Sequence, residues 1–483
     1  MPGSFFGLEI AKLALWANQR AMDVTAHNIA NANSPGYSRQ RAHLRPAAPL
    51  SIPVSGTLTG QMGSGVVVAR ILSTRSAFLD RQIWSGTAEQ QRWAAHRQAL
   101  ERIEAIINEP TENGIRGALD RWWEALAVLA ANPESMAART SVLERSKTLI
   151  TTFQDVDRRL RALEDDLKAE LSHRVDQVNA LARRIDELNK RIIAVEASGQ
   201  AANDLRDQRA LAVEELAGHV GVGITESDRG VLRVTLDGVD LVGEHGYRTL
   251  EVGTDPVTGE PAVLWTGLGK SAAAGSGAIG GILELIQSTG PVPRYRAELL
   301  DFARTLATEV NRFHRADTSG TPVRYTYTLD GAAGGDFFNV PVTTLDEWSL
   351  AITDPREIAA GVVIDPPTLP PASLPPGDGS NAQAINDLKF APLVGGATLD
   401  DAYRSWVSRL GVATAESARR AEHQELLLTQ VSNQRQQLAG VSLDEEMAAM
   451  LQYQHAYNAA ARVITAVDQM LETLIHRTGI AGR

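Results

Sequence analysis

The chain has 483 residues, 43% of them hydrophobic and 22% charged, which is ample material for buried cores and sets a prior of about three domains. A formal net charge of −11 makes nucleic acid an unfavourable general partner, and 5% aromatic content argues against an aromatic-rich binding cleft. The absence of cysteine excludes disulfides, thiolate catalysis and Cys-ligated metals.

At the N-terminus Leu8, Ala11, Leu15, Asn18, Met22, Thr25 and Ile29 follow three-four spacing, and Pro35-Gly36 stops the helix they predict. Glu9 and Lys12 interrupt the place where the apolar core of a secretory signal would lie. Polar-apolar alternation over Ser38–Arg45 predicts a strand, Val66-Val67-Val68 a second, and Pro46, Pro49 and Pro53 keep the stretch between them extended. Residues 37–86 thus read as an extended or hairpin connector.

Helix is expected from Thr87 to Asn108, broken at Asn113-Gly114, then again with Leu119, Trp122, Trp123, Leu126 and Leu129 up to Asn132-Pro133. The tryptophan pair reads as buried core rather than an exposed hot spot. Glu134 to Ser198 contains neither Pro nor Gly. Its stripe runs from Leu149 through Phe153, Val156, Leu160 and Leu163 to Ile192 and Val195, a helix of about 95 Å at 1.5 Å per residue. Three consecutive steps of four between Leu163 and Val175 resemble a stutter. Ser198-Gly199-Gln200 ends it, and Asn203–His219 reads as the returning helix.

Val231, Val234, Leu236, Val239, Leu241 and Val242 among turn pairs predict a small antiparallel β unit within 221–277. Helix returns over Ile282–Ser288 and Tyr295–His314. Residues 317–397 are turn- and Pro-rich, with Tyr325 and Tyr327 on one strand, and read as a second β or loop excursion. A helix from near Asp400 to Leu438 precedes Gly440. In the last stretch Ser442 and Glu445 form a capping-box start. Leu443, Met447, Met450, Gln454, Tyr457, Ala461, Ile464, Asp468, Leu471 and Ile475 then give a heptad seam with two polar interruptions. The two terminal helices have two readings: they pair with each other and with copies of themselves, or they are ordinary amphipathic helices packed on a core.

Sites of chemistry are sparse. Gly275-Ser276-Gly277-Ala278-Ile279-Gly280 has dinucleotide-loop spacing but lacks the parallel βαβ setting, so a flexible linker is the better reading. The ten histidines form no His-x-x-x-His pair, and His423, His455 and His476 read as surface residues. No catalytic, cofactor-binding or metal-binding residue is assigned.

Two stretches are more particular. His27 to Gln40, reading His-Asn-Ile-Ala-Asn-Ala-Asn-Ser-Pro-Gly-Tyr-Ser-Arg-Gln, resembles the N-terminal signature of flagellar rod, hook and hook-associated proteins. Gly440 to Glu446, continuing through Tyr453-Gln454 to Leu474-Ile475, is similar to their C-terminal signature. Ser38-Arg39-Gln40 after Gly36-Tyr37 is typical of the hook–filament junction members. Leu129–Leu143, Ala197–Arg209 (with Asn203-Asp204-Leu205-Arg206-Asp207-Gln208-Arg209) and Gly280–His314 point the same way. The departures are Ser34 where Thr is usual and a short 317–380 region, so that an outer domain is reduced or absent.

The resemblance implies an α+β, mainly α, elongated multi-domain rod. Residues 1–36 and 441–483 would form a terminal coiled coil, 87–220, 278–316 and 398–440 a helical bundle, and 221–277 a β domain. It implies a non-enzymatic structural subunit, exported without a cleaved signal through the flagellar type III apparatus and assembled in a ring at the hook–filament junction. The expected partners are copies of itself, the hook protein, the next hook-associated protein on the filament side, and a cytoplasmic export chaperone covering the C-terminal helix. The terminal helices would be largely disordered before assembly. The expected assembly interface is Leu8, Leu15, Met22, Ile29, Asn31, Pro35, Gly36, Tyr37, Leu443, Met447, Met450, Tyr457, Ile464, Leu471 and Ile475, with Gln454 and Asp468 weakening free self-association. Competing readings are another axial protein of the distal rod or hook, a nucleotide-dependent enzyme using the Gly275 loop, and a secreted coiled-coil effector.

Overall fold

The computed structural model describes residues 6–55, 58–109, 111–227, 229–371 and 373–477. Helix α1 (Phe6–Ala30) runs into a turn in which Gly36 adopts φ 75°. Four strands follow: β1 (Gln40–Pro46), β2 (Leu50–Ser55), β3 (Leu58–Met62) and β4 (Val66–Ser73). β1 pairs antiparallel with β4 and β2 with β3, so the expected connector is one hairpin nested in another.

Helix α2 (Ala77–Ile107) begins at Ala77 rather than at Thr87. The Ser76 hydroxyl caps it by accepting from the Leu79 N–H at 3.4 Å. Gly86, which lowers the helical signal there, faces the side chain of Leu428. Then come α3 (Ile115–Ala131), the 61-residue α4 (Met136–Glu196) and α5 (Asn203–His219). At 1.5 Å per residue α4 is about 90 Å long.

Strands β5 (Gly223–Glu226), β6 (Leu232–Leu236), β7 (Val239–Gly243) and β8 (Gly246–Tyr247) make a four-stranded antiparallel meander; β9 (Leu250–Thr254) pairs with β10 (Pro261–Trp265). Helices α6 (Gly277–Ile286) and α7 (Pro291–His314) follow. β11 (Arg324–Tyr327) and β12 (Gly361–Ile364) pair antiparallel, and α8 (Ser380–Asn386), missed in the sequence, leads to α9 (Leu399–Ala439), which passes Gly411 unbroken. After Gly440 the chain enters α10 (Leu443–Arg477).

The stripe read on α4 is the spine of the core. From Leu149 to Ile192 each of its apolar members is buried against α3, α5, α6, α7 or the β unit. Trp122 and Trp123 are buried beside it, and the Trp122 indole N–H donates to Ser146 at 2.7 Å. The 317–397 stretch shares this core: the Phe153 and Trp348 rings meet edge-on at 5.2 Å, and Phe338 lies between Trp348 and Trp122. His314 is fully buried at the seam. Its Nδ1 donates to the Gly335 carbonyl and its Nε2 accepts from the Ala359 N–H, each at 2.8 Å, so the ring is held neutral.

The Gly275–Gly280 run is not a phosphate cradle. Gly277 (φ 77°) starts α6, and every residue of that helix except Glu284 is buried. A Cβ on Gly281 would stand 2.7 Å from the Arg92 carbonyl oxygen. Gly281 permits a close crossing of α6 with α2, fastened by Arg92 and His96 on the Glu284 carboxylate.

Candidate assembly interface

The two terminal helices pack on each other. Asn28, in the last turn of α1, donates to Glu446, in the first turn of α10, so the helices run antiparallel. On α1 the buried residues are Ala11, Ala17, Ala21, Val24, Thr25 and Asn28. Leu8, Leu15, Met22 and Ile29 lie one flank over and are half-buried. Small residues at the contact let the backbones approach closely, and the larger ones straddle it.

On α10 the contact ridge is Glu446, Met450, Tyr453, Tyr457, Ala460, Ile464, Val467 and Leu471, in steps of four and three. Met450, Tyr457, Ile464 and Leu471 therefore hold the expected register. The alternate positions are shifted by one residue: Glu446, Tyr453, Ala460 and Val467 face α1 in place of Met447, Gln454, Ala461 and Asp468. Gln454 and Asp468 are exposed and do not interrupt the seam. Met447 looks the better seam residue by hydropathy, but Glu446 is the one buried, held by Asn28 and Arg39. Leu443, Met447 and Leu451 are left 50%, 58% and 56% exposed, an apolar ridge along one flank. Val463 and Met470 are exposed further along the helix, and Trp16 is exposed on α1. Ile475 lies in α10, but its side chain is outside the described residues.

The pair is anchored at one end by polar chemistry. Asn28, 1% exposed, uses its whole amide. Nδ2 donates to the Gln40 carbonyl at 2.8 Å and to Glu446 at 2.9 Å, while Oδ1 accepts from the Gln40 N–H at 2.9 Å and the Tyr37 hydroxyl at 2.7 Å. Arg39 donates from Nε to Glu446 and from a terminal nitrogen to Glu445, each at 2.6 Å, and its N–H donates to the Ala439 carbonyl at 2.9 Å. The expected capping box is thus half made. Ser442 accepts from the Glu445 N–H at 3.5 Å, but the Glu445 carboxylate turns to Arg39.

Burial alone would lower the Arg39 pKa; the bonds to Glu445 and the charge of Glu446 outweigh it and raise it. The Tyr37 hydroxyl is pushed well above its ordinary value by burial, then by the carboxylates of Asp204, Asp207 and Glu446, so it stays a donor. Asn31 donates back to the His27 carbonyl at 3.0 Å and Ser34 to Asn31 at 3.1 Å, closing the helix end before the exposed Pro35. Sequence reasoning passed over Asn28, Arg39, Gln40 and Glu446 as site residues. They lie inside the quoted signatures, but apolar periodicity is blind to buried amides and carboxylates.

The inner ends of the two terminal helices thus close on one polar node, while the intervening helices share a core. Comparison with known proteins puts a chain of this arrangement in the class of flagellar axial structural proteins. Residues 8–37 match the family described as flagella basal body rod protein, and residues 433–476 the C-terminal family of flagellar basal body rod FlgEFG proteins. Residues 100–338 match the flagellar hook-associated protein FlgK helical domain. Flagellar hook-associated protein 1 of Bacillus subtilis is 31% identical over the full length of both chains, and that of Escherichia coli 26% over 96% of this chain and 98% of its own. The chain belongs to the flagellar hook-associated protein 1 family. The flagellar hook junction protein FlgK of Burkholderia pseudomallei shares the fold, with TM-score 0.63 and 16% identity over 75% of this chain and all of that one.

Proposed function

We propose that this hook-associated structural protein is a non-catalytic subunit of a ring at the hook–filament junction, and that its terminal helix pair is what assembles. The observation behind this reading is the α1–α10 pair itself. Its seam is narrow and mostly half-buried, while Leu443, Met447 and Leu451 on one flank and Trp16 on α1 stand exposed. Neighbouring copies supply the missing cover for the exposed members. Leu8, Leu15, Met22, Ile29, Met450, Tyr457, Ile464 and Leu471 set the pair's shape. The helical bundle and β elements face outward from this layer, hook protein lies below and the next hook-associated protein above. A helix pair of this kind is marginal alone, which suits passage through the flagellar type III exporter with a chaperone on α10 and folding on arrival. No described helix is long and apolar enough to cross a membrane, and the flagellar exterior is its proposed place.

The test is replacement of Leu443, Met447 and Leu451 by serine. Export should persist while filaments fail to attach and motility is lost. Normal filament number in the triple variant would remove this ridge from the interface.

A further inference from the structure

The run Asn203–Arg209 was singled out by resemblance, and the terminal pair does not explain it. In the structure it opens α5, directly after the turn that ends α4. Its side chains divide between two sides. Arg206 donates to Glu196 and Glu226, each at 2.7 Å, and Arg209 to Asn189 and the Gly230 carbonyl, each at 2.8 Å. That side clamps the end of α4 to the β5–β8 unit. Asn203, Asp204 and Asp207 face elsewhere, toward the N-terminal signature. Asp207 accepts from the Ser38 N–H at 2.9 Å and pairs with Arg75 at 3.1 Å. Asp204 accepts from the Gln40 side chain at 2.7 Å, His27 lies 3.3 Å from it, and Asn203 donates to Gln40 and to the Ile71 carbonyl.

The setting of these contacts matters. Among the described residues, the continuous apolar core runs from Ala99 to Leu410 and takes nothing from α1, β1–β4 or α10. The terminal elements are tied to the bundle by two backbone crossings, 74–76 and 440–442, by polar contacts, and by the Leu211 side chain against the Gly36 turn. An interface made of hydrogen bonds has directional geometry but little apolar area, so it fixes an angle without contributing much to stability.

We infer that Asn203, Asp204 and Asp207 are positioning residues: a polar socket that seats the Tyr37–Gln40 stretch and so sets the angle at which the bundle presents the terminal helix pair to its neighbours. Arg206 and Arg209, on the other side of the same turns, tie that angle to the β unit. The socket works chiefly by accepting hydrogen bonds. Asp207 takes the Ser38 N–H on one carboxylate oxygen and Arg75 on the other, so an asparagine, with one acceptor oxygen, keeps one of these two bonds.

This inference rests on the junction reading, and the experiment separates the two. In the native host, deletion of the chain is compared with chromosomal Asp204→Ala/Asp207→Ala and Asp204→Asn/Asp207→Asn. Export into the medium, filament number, and thermal unfolding of the purified chains are measured. The alanine pair should cut filament number at least tenfold, with export and the main unfolding transition unchanged, and the asparagine pair, which keeps part of the acceptor set, should restore part of it. Parental filament number with the alanine pair, where deletion abolishes filaments, would overturn the socket alone. A lowered main transition would also overturn it, since the two acids would then be parts of the bundle. Filaments surviving the deletion would overturn the junction reading, and the socket with it.

Discussion

The helix α4 and the helix α10 look alike in sequence, each a long run of three-four apolar spacing, yet they are held in different ways. From Leu149 to Ile192 the stripe on α4 is buried throughout, because other elements of the same chain cover it. On α10 the ridge facing α1 is mostly half-buried, and Leu443, Met447 and Leu451 beside it face outward. Periodicity therefore reports that a helix has an apolar face but not whether its own chain can cover that face. What distinguishes the two is the number of neighbours: α4 touches most of the bundle, whereas α10 packs on one helix.

The largest expected effect breaks the comparison at α4. Leu160→Ala should destabilise the chain by about 2–5 kcal/mol in denaturant unfolding, as for a buried leucine that leaves a cavity. Tyr457→Ala on α10 should shift the same transition by less than about 1 kcal/mol. Equal shifts would mean the terminal pair folds as part of the bundle.

Acid should act on the bundle next. Burial pushes the His314 imidazole down to about 4, against the Gly335 carbonyl and Asp336, which favour its protonation, and with Arg139 adding to the depression. A depressed folded pKa gives stability that is complete above the unfolded value near 6.5 and lost as pH falls toward 4. The loss should amount to about 3 kcal/mol, seen as a falling unfolding midpoint between those limits, and His314→Gln should flatten it.

Asn28→Ala sharpens the comparison at the terminal end. It strips partners from the Gln40 N–H and carbonyl, from the Tyr37 hydroxyl and from one Glu446 oxygen, at about 1–3 kcal/mol for buried polar groups left unpaired. In assembled junctions, amide exchange over residues 28–46 should rise while the α4 amides keep their protection. The smallest effect belongs to Gln454→Leu with Asp468→Leu. Both sites are exposed, so the unfolding midpoint should stay within about 0.5 kcal/mol. Sedimentation should instead show more self-association. A clearly raised midpoint would restore these residues to the seam.

Much of the helical frame was legible. The Pro- and Gly-free run predicted α4, the Asn203–His219 helix matches α5 at both ends, and the Trp122-Trp123 pair is buried as read. Three things were not. The start of α2 was hidden because Gly86 weakens local propensity while α9, far along the chain, supplies the contact that compensates. The α10 seam was displaced because a buried glutamate looks like a surface residue until Asn28 and Arg39 are placed beside it. The node itself is built from partners such as Asn28 and Glu446, 418 positions apart, which no window of local sequence can join.

That separation also sets an order in time. Synthesis delivers Asn28 early and its carboxylate partner only after 418 further residues, so the pairing of α1 with α10 is among the last contacts the chain can make. A chain cut short anywhere in the bundle would carry α1 and the first signature but never the partner that closes them. The helix pair can therefore close only in a chain that reaches α10.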